Sequence, residues 1–184
     1  MPVSPRHVRV LIVAAVTSLC AFGLEHLHRA TGVWQLPPGA GFPSWILLVY
    51  LVSMLAFGLG LLRLEAALGS PLRSQRPSLG LEIPAALGLV MAPVLLWRHE
   101  LGLLGLAATV CTLRLSWRSA RGDWQVALGA AALDALVEGS LVGFGLYRYS
   151  EAAYAPLPLW LPLLWACLGP SVRRMFAWSD TATT

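Results

Sequence analysis

Two acidic residues stand at the ends of apolar runs, and each is followed by the same spacing of glycine and aromatic residues. Glu25 and Glu138 each precede a glycine by seven positions, and an aromatic residue follows that glycine by two. Both copies then contain Pro-x-Trp, with another aromatic residue five positions after the tryptophan. The copies comprise Glu25, Gly32, Trp34, Pro43, Trp45 and Tyr50, and Glu138, Gly145, Tyr147, Pro158, Trp160 and Trp165. A carboxyl group held at the edge of a bilayer beside aromatic rings indicates ligand binding or catalysis.

A second acid accompanies Glu138 in the same apolar run. Asp134 and Glu138 are four residues apart, so on a helix they lie on one face, about one turn apart. A carboxyl group in hydrocarbon is costly, which predicts that both face the bundle interior and share a proton. A protonated member of the pair is a candidate general acid, and Glu25 is a candidate second acid or base of the same pocket. The structural alternative is that the pair binds an arginine or caps a neighbouring helix.

Histidines near the first acid offer an alternative metal site. His26 and His28 follow Glu25, and His99 is expected on the same side of the membrane. Imidazole and carboxylate ligands suit zinc or iron. Residues two apart on a helix do not share a face, however, so His26 and His28 are poorly spaced for one metal ion. We therefore predict no metal and no cofactor, with these histidines in contact with solvent or lipid headgroups.

Aromatic side chains gather around the two loops that follow the acids. One interpretation is an interfacial belt, since tryptophan and tyrosine are enriched where membrane meets water. The other is a ring-lined cavity, because aromatic faces stabilise cations, including a carbocation formed in an apolar site. Arg148 lies between two of these rings and could pair with Glu151, Glu138 or a lipid headgroup. The candidate substrate-binding residues are Trp34, Trp45, Tyr147, Tyr149, Trp160, Trp165 and Arg148.

Membrane-spanning helices are the elements that must position these residues. Hydrophobic residues make up 57% of the 184 residues, charged residues only 12%, and the mean hydropathy is +0.69. Soluble domains carry about 25% charged residues, so lipid must cover much of this apolar surface. The sequence predicts an all-α polytopic membrane helix bundle, a single six-span domain over residues 1–184. The predicted spans are Val8–Leu24, Pro43–Leu62, Leu79–Leu96, Leu101–Trp117, Trp124–Gly145 and Leu159–Phe176. The two motif copies run in the same direction, which predicts a parallel repeat of spans 1–2 and 5–6.

The distribution of charge predicts the orientation. All 13 basic residues are arginine, and only Arg29, Arg98 and Arg148 lie on the side of the two motif loops. The positive-inside rule then places both termini in the cytoplasm. The bias toward Arg, Ala, Gly and Leu suits a bacterial genome, so we expect a bacterial inner membrane. A signal peptide in place of the first span is the alternative, and it would leave five spans. No basic cluster lies on a soluble domain, so nucleic-acid binding is not expected.

The segment from Glu138 to Trp165 resembles a pattern of membrane-embedded carotenoid hydratases. It contains the acid, glycines, a Tyr-x-Tyr sequence at Tyr147 and Tyr149, and then prolines and tryptophans. The segment also resembles the last two spans of an uncharacterised family of bacterial multi-pass inner-membrane proteins. More loosely, paired acids with a tandem repeat are similar to membrane-type lycopene and terpene cyclases. The chain is shorter than the hydratases and lacks the Pro-x-Glu-Glu element of the lycopene cyclases.

The resemblance implies acid chemistry on an isoprenoid, without a cofactor. Glu138 or Asp134 would protonate an alkene, and Glu25 would position water or remove the final proton, giving hydration or cyclisation. One alternative is a non-enzymatic subunit or assembly factor that packs against a larger membrane complex, lipid or pigment. A small transporter, with the acids as a proton relay, ranks last. The expected partners are a lipophilic small molecule and membrane lipids, with a membrane-protein partner or a homo-oligomer as further options.

Overall fold

Six helices and two short strands make up the part of the chain that the structure describes. The computed structural model describes residues 5–68, 79–117, 122–150 and 157–181. The elements are α1 (Pro5–Thr31), β1 (Trp34–Gln35), α2 (Trp45–Leu68), α3 (Leu79–Leu96), α4 (Glu100–Trp117), α5 (Asp123–Gly143), β2 (Arg148–Tyr149) and α6 (Trp160–Thr181). The predicted all-α fold is confirmed, because each predicted span corresponds to one of these helices.

Three of the helices are long and apolar enough to cross a membrane. These segments are Val10–Thr31 in α1, Trp45–Ala67 in α2 and Asp123–Gly143 in α5, and α3 contains a shorter apolar stretch, Pro84–Leu96. Large apolar side chains on the outside of the bundle remain uncovered by protein, as Leu136 shows with 68% of its surface exposed. A surface of this kind requires lipid, so the chain has the character of a membrane protein.

The first helix is longer than the sequence predicted, and this changes the position of the first acid. α1 continues past Leu24 to Thr31, so Glu25 lies on a helix and not in a loop. The helix ends at Gly32, whose φ of +84° is left-handed and therefore suited to glycine. The amide of Gly32 donates to the carbonyl of Arg29 at 3.1 Å, and that of Val33 to the carbonyl of His28 at 2.9 Å. This Schellman pairing satisfies two carbonyls that the helix end leaves open.

The fifth helix ends in the same way at the second copy of the motif. Gly145 has a φ of +70°. Its amide donates to the carbonyl of Val142 at 2.8 Å, and the amide of Leu146 donates to the carbonyl of Leu141 at 3.1 Å. The positions of both hydrogen bonds relative to the glycine match those of the first copy. The repeated sequence therefore forms a repeated helix end, because only glycine takes this backbone conformation without strain.

The two motif loops meet in space as a short antiparallel pair of strands. Trp34 of β1 is paired with Tyr149 of β2, and Gln35 is paired with Arg148. Ser150 extends the pairing, because its amide donates to the carbonyl of Val33 at 3.1 Å. We call this end of the bundle the strand end. The pairing brings the carboxyl-terminal ends of α1 and α5 together there.

The sixth helix is the centre of the bundle and packs against each of the other five helices. Its approach to α5 is closest at Gly169, where an added Cβ would lie 2.8 Å from the Cβ of Ala130 and 3.1 Å from the carbonyl oxygen of Val126. At the end of α5 opposite the strand end, the buried Asp123 accepts hydrogen bonds from Arg173 at 2.7 Å and Arg174 at 3.0 Å. Close packing and a buried ion pair thus fix α6 against α5.

Candidate functional site

Glu25 is held by donors on both of its carboxyl oxygens. The indole nitrogen of Trp34 donates to Oε2 at 2.5 Å, and the hydroxyl of Tyr50 donates to Oε1 at 2.8 Å. The Nδ1 atom of His28, one turn further along α1, lies 3.7 Å from Oε1. Trp34 reaches the acid because the turn at Gly32 folds the chain back over the last turns of α1. Both carboxyl oxygens of Glu25 are therefore occupied by donors from aromatic side chains.

Glu138 is held in an equivalent place but by a different arrangement. The hydroxyl of Tyr147, at the position equivalent to Trp34, donates to Oε2 of Glu138. The hydroxyl of Tyr149 donates to the same oxygen at 3.0 Å. Oε1 of Glu138 takes part in no hydrogen bond within the described ranges. Both copies therefore share a ring donor two positions after the glycine. The second donor of Glu138, Tyr149, binds the same oxygen as Tyr147, so Oε1 has no donor in the described ranges.

Tyr149 remains a hydrogen-bond donor over a wide range of pH. Burial raises the pKa of its phenol well above the usual range, and the nearby acids Glu138 and Glu25 raise this pKa further. The phenol consequently keeps its proton and can stabilise negative charge on Glu138.

Both acids line one elongated cavity of about 350 Å³. Its wall comes from α1, α2, α3, α5 and α6 with β2, and its polar groups are concentrated at the strand end. On α6 the lining positions run from Trp160 to Met175, a length of roughly 22 Å at about 1.5 Å per residue. The rings on the wall are those of Tyr50, Tyr149, Trp160 and Trp165, together with the imidazole of His28. The cavity thus offers a long apolar space with two carboxyl groups at one end.

A smaller cavity of about 40 Å³ lies beside Glu138 and one turn deeper along α5. Asp134 lines it, as the common helical face of the two acids predicts, and Tyr50 and Ser53 lie on its wall. Oδ2 of Asp134 is buried, and no side chain or backbone group in the described segments forms a hydrogen bond with it. Glu138 borders both cavities, whereas Asp134 borders the smaller one. Asp134 and Glu138 therefore occupy different surroundings.

Three of the predicted substrate-binding residues line the large cavity, namely Tyr149, Trp160 and Trp165. Trp34 and Tyr147 do not. They bind the acids from the strand end, because the turn after each helix directs the residue two positions after the glycine back onto the helix end. These two residues therefore position the carboxyl groups.

The structure places two further predicted residues outside the cavity wall. Trp45 lies at the exposed beginning of α2 and is not part of the cavity wall. Arg148 is also exposed, and it donates to the side-chain oxygen of Gln35 at 3.1 Å and not to Glu138. The strand register places Arg148 opposite Gln35, which accounts for this contact. Glu151, the other predicted partner of Arg148, lies outside the described residues.

The alternative metal site has no support in the geometry. The ring of His26 stacks on that of Phe42 with 3.6 Å between ring centres, whereas His28 faces the large cavity and His99 is exposed. Among the residues described, no group of three or more His, Cys, Asp or Glu side chains could hold a metal ion. The separation follows from the helix, which turns residues 26 and 28 to different faces.

Two residues at important positions were absent from the predicted site. Tyr50 binds Glu25 and lines both cavities, and its counterpart in the second motif, Trp165, also lines both. The repeat itself could have indicated Tyr50, because it places both rings five positions after a tryptophan. Asp123 pairs with two arginines that are 50 and 51 residues away. No local spacing in the sequence indicates that pairing.

Comparison with known proteins identifies a family. The family described as "Protein of unknown function (DUF2878)" matches residues 86–183, which is more than half of the chain. The chain belongs to the DUF2878 family. The segment matched to DUF2878 begins within α3 and includes Asp134, Glu138 and both β2 residues, whereas Glu25 lies outside it. No curated protein and no solved structure matches the chain.

Proposed function

We propose that this protein is a membrane-embedded enzyme that protonates an alkene of an isoprenoid or carotenoid, with Glu138 as the acid. The observation that carries the proposal is that Glu138 and Glu25 share one elongated, ring-lined apolar cavity. Their hydrogen-bond donors are tyrosine and tryptophan, and neither acid is paired with an arginine within the described ranges. A buried carboxyl group with only a structural role is expected to be paired with a cation, as Asp123 is with Arg173 and Arg174.

The two acids suit different roles because their donors are arranged differently. Glu138 accepts two hydrogen bonds on Oε2 and has Oε1 open, so Oε1 can carry the proton. The two tyrosine donors then stabilise the negative charge that develops as this proton leaves. Glu25 has donors on both oxygens and suits a carboxylate that stabilises a cation and accepts the final proton.

The reaction follows from these positions. The O–H bond of Glu138 breaks, and the π electrons of the alkene form a new C–H bond, which leaves a carbocation. The rings of Tyr149, Trp160 and Trp165 stabilise that cation. Attack by water gives an alcohol, whereas attack by an internal double bond gives a ring. In both cases Glu25 takes up the proton that is released.

The shape of the cavity supports a chain-like apolar substrate. Its volume of about 350 Å³ is in the range of small-molecule sites. Its length is many times that of one water molecule, and away from the strand end the wall is largely apolar. An isoprenoid chain would lie along α6 with its reacting double bond at the carboxyl groups.

The membrane arrangement forms part of the proposal. Six spans with both termini in the cytoplasm of a bacterium would place the strand end on the outer side of the inner membrane. The substrate would then react close to the outer interface, where the aromatic residues of the strand end are also expected. A small membrane subunit is the alternative, and it predicts that Asp134 and Glu138 contact arginine or a partner helix. Neither acid contacts an arginine within the described part of the chain.

The test is turnover by the purified protein in lipid nanodiscs with a panel of acyclic isoprenoids and carotenoids, followed by mass spectrometry. Glu138→Gln should lower turnover by roughly 10²–10⁴-fold, the usual contribution of a general acid. Glu65→Gln makes the same chemical change on α2 outside both cavities and should leave turnover unchanged. Retained activity in folded Glu138→Gln would refute the acid assignment. Absence of turnover in the wild-type protein across the panel would favour the subunit.

A further inference from the structure

The smaller cavity contains polar groups whose hydrogen-bonding capacity is not used. Oδ2 of Asp134 is buried and has no hydrogen-bond partner among the residues described, and only 8% of Asp134 is exposed. Ser53 also lines the cavity, and its hydroxyl forms no hydrogen bond within the part of the chain described. Glu138, with its open Oε1, lies on the same wall. A buried carboxyl oxygen without a partner is costly, and a water molecule would remove that cost.

The size of this cavity is sufficient for water. A volume of about 40 Å³ accommodates about two or three water molecules, since one needs roughly 10–15 Å³ by the same measure. Asp134, Ser53 and Glu138 could supply the two to four polar partners that a buried water usually has.

Tyr50 connects the smaller cavity to Glu25. Its hydroxyl donates to Oε1 of Glu25 at 2.8 Å, and its side chain lines the smaller cavity. The polar groups therefore follow one another from Glu25 through Tyr50 to the cavity and on to Glu138. Hydroxyl groups and water can each accept one proton while releasing another, so such a series can conduct a proton.

We propose that the smaller cavity is a water site, and that its water returns the proton from Glu25 to Glu138 through Tyr50. The return step rests on the proposed function, whereas the water site does not. After one turnover Glu25 carries the proton and Glu138 is a carboxylate. The proton of Glu25 moves to the oxygen of Tyr50, Tyr50 releases its own proton to water, and water releases one to Glu138. Three O–H bonds break and three form, with no co-reactant. Asp134 and Ser53 hold the water in place.

The water site can be tested without any assay of activity. A structure determined at a resolution that shows ordered water should contain water within hydrogen-bond distance of the carboxyl group of Asp134. Ser53→Val removes a hydroxyl and fills space, so its structure should lose this water. An empty cavity in the wild-type structure, or a lipid chain within it, would overturn the proposal.

The return route is tested by kinetics in the same nanodisc assay. Tyr50→Phe and Ser53→Val should each lower kcat by about tenfold or more with little change in KM, a smaller loss than removal of the acid itself. The solvent deuterium isotope effect on kcat should rise, because proton return becomes rate-limiting. Wild-type kcat and isotope effect in both variants would refute the route and leave the proposed function standing. Absence of wild-type turnover would refute the proposed function and leave the water site to be judged by its structure.

Discussion

The two motif copies build the same support for an acid but give the two acids different surroundings. In each copy a glycine ends the helix and directs a ring back to a glutamate nine positions earlier, as Trp34 does for Glu25 and Tyr147 for Glu138. The second donor differs. Tyr50 of α2 serves the other oxygen of Glu25, whereas Tyr149 serves the oxygen of Glu138 that Tyr147 already occupies. A repeat can thus fix the position of two acids while the second donor, which differs between the copies, distinguishes their surroundings.

Asp123 is a third acid that can be compared with Glu25 and Glu138, because it lies on α5 and is paired with two arginines. Asp123→Asn should lower the free energy of unfolding by about 3–5 kcal/mol, because it leaves two buried arginines with a weakened partner. Glu138→Gln, the corresponding change on the same helix, should lower the free energy of unfolding much less, because the donors to Glu138 are neutral tyrosines. Reversible unfolding in mixed detergent measures both values. Equal costs would show that neutral rings and arginines hold these acids in the same way.

The helices that follow the two motif loops, α2 and α6, differ in how closely they approach neighbouring helices. Gly169→Ala on α6 should cost about 1–3 kcal/mol, because the added methyl group meets Ala130 and the backbone of Val126. Gly60→Ala on α2 has no atom within 4 Å of the added carbon and should be neutral or stabilising by about 0.5–1 kcal/mol. Thermal unfolding of both variants provides the comparison. A neutral Gly169→Ala would show that α5 and α6 are more loosely packed than the structure indicates.

The second donor of Glu138 should be visible in the dependence of stability on pH. The unfolded phenol loses its proton near pH 10, whereas the raised pKa of Tyr149 keeps the folded phenol protonated. The folded state then binds more protons, so the free energy of unfolding falls as the pH rises above about 10. The contribution of one group is at most about 1.4 kcal/mol per pH unit. Tyr149→Phe should reduce this slope, as measured by unfolding across alkaline pH, and an unchanged slope would contradict it.

Several features of the fold were determined by the sequence alone. Apolar composition and run length predicted six helices, and the spacing of acid, glycine and aromatic residue predicted two equivalent hairpin loops. The end of α1 was missed by several residues, because polar residues after Leu24 suggested a loop. The glycine at position 32 was the better signal, since a left-handed residue is required to close the helix.

Only the tertiary structure decided which residues surround each acid. Pairing of β1 with β2 brought the two loops together, and that pairing depends on two strands 114 residues apart, from Trp34 to Arg148. It turned Trp34 and Tyr147 toward the carboxyl groups and left Arg148 outside. The ring spacing alone could not distinguish a residue that lines a cavity from one that holds an acid. Local spacing determines which face of a helix a side chain occupies, but long-range packing determines what that face meets.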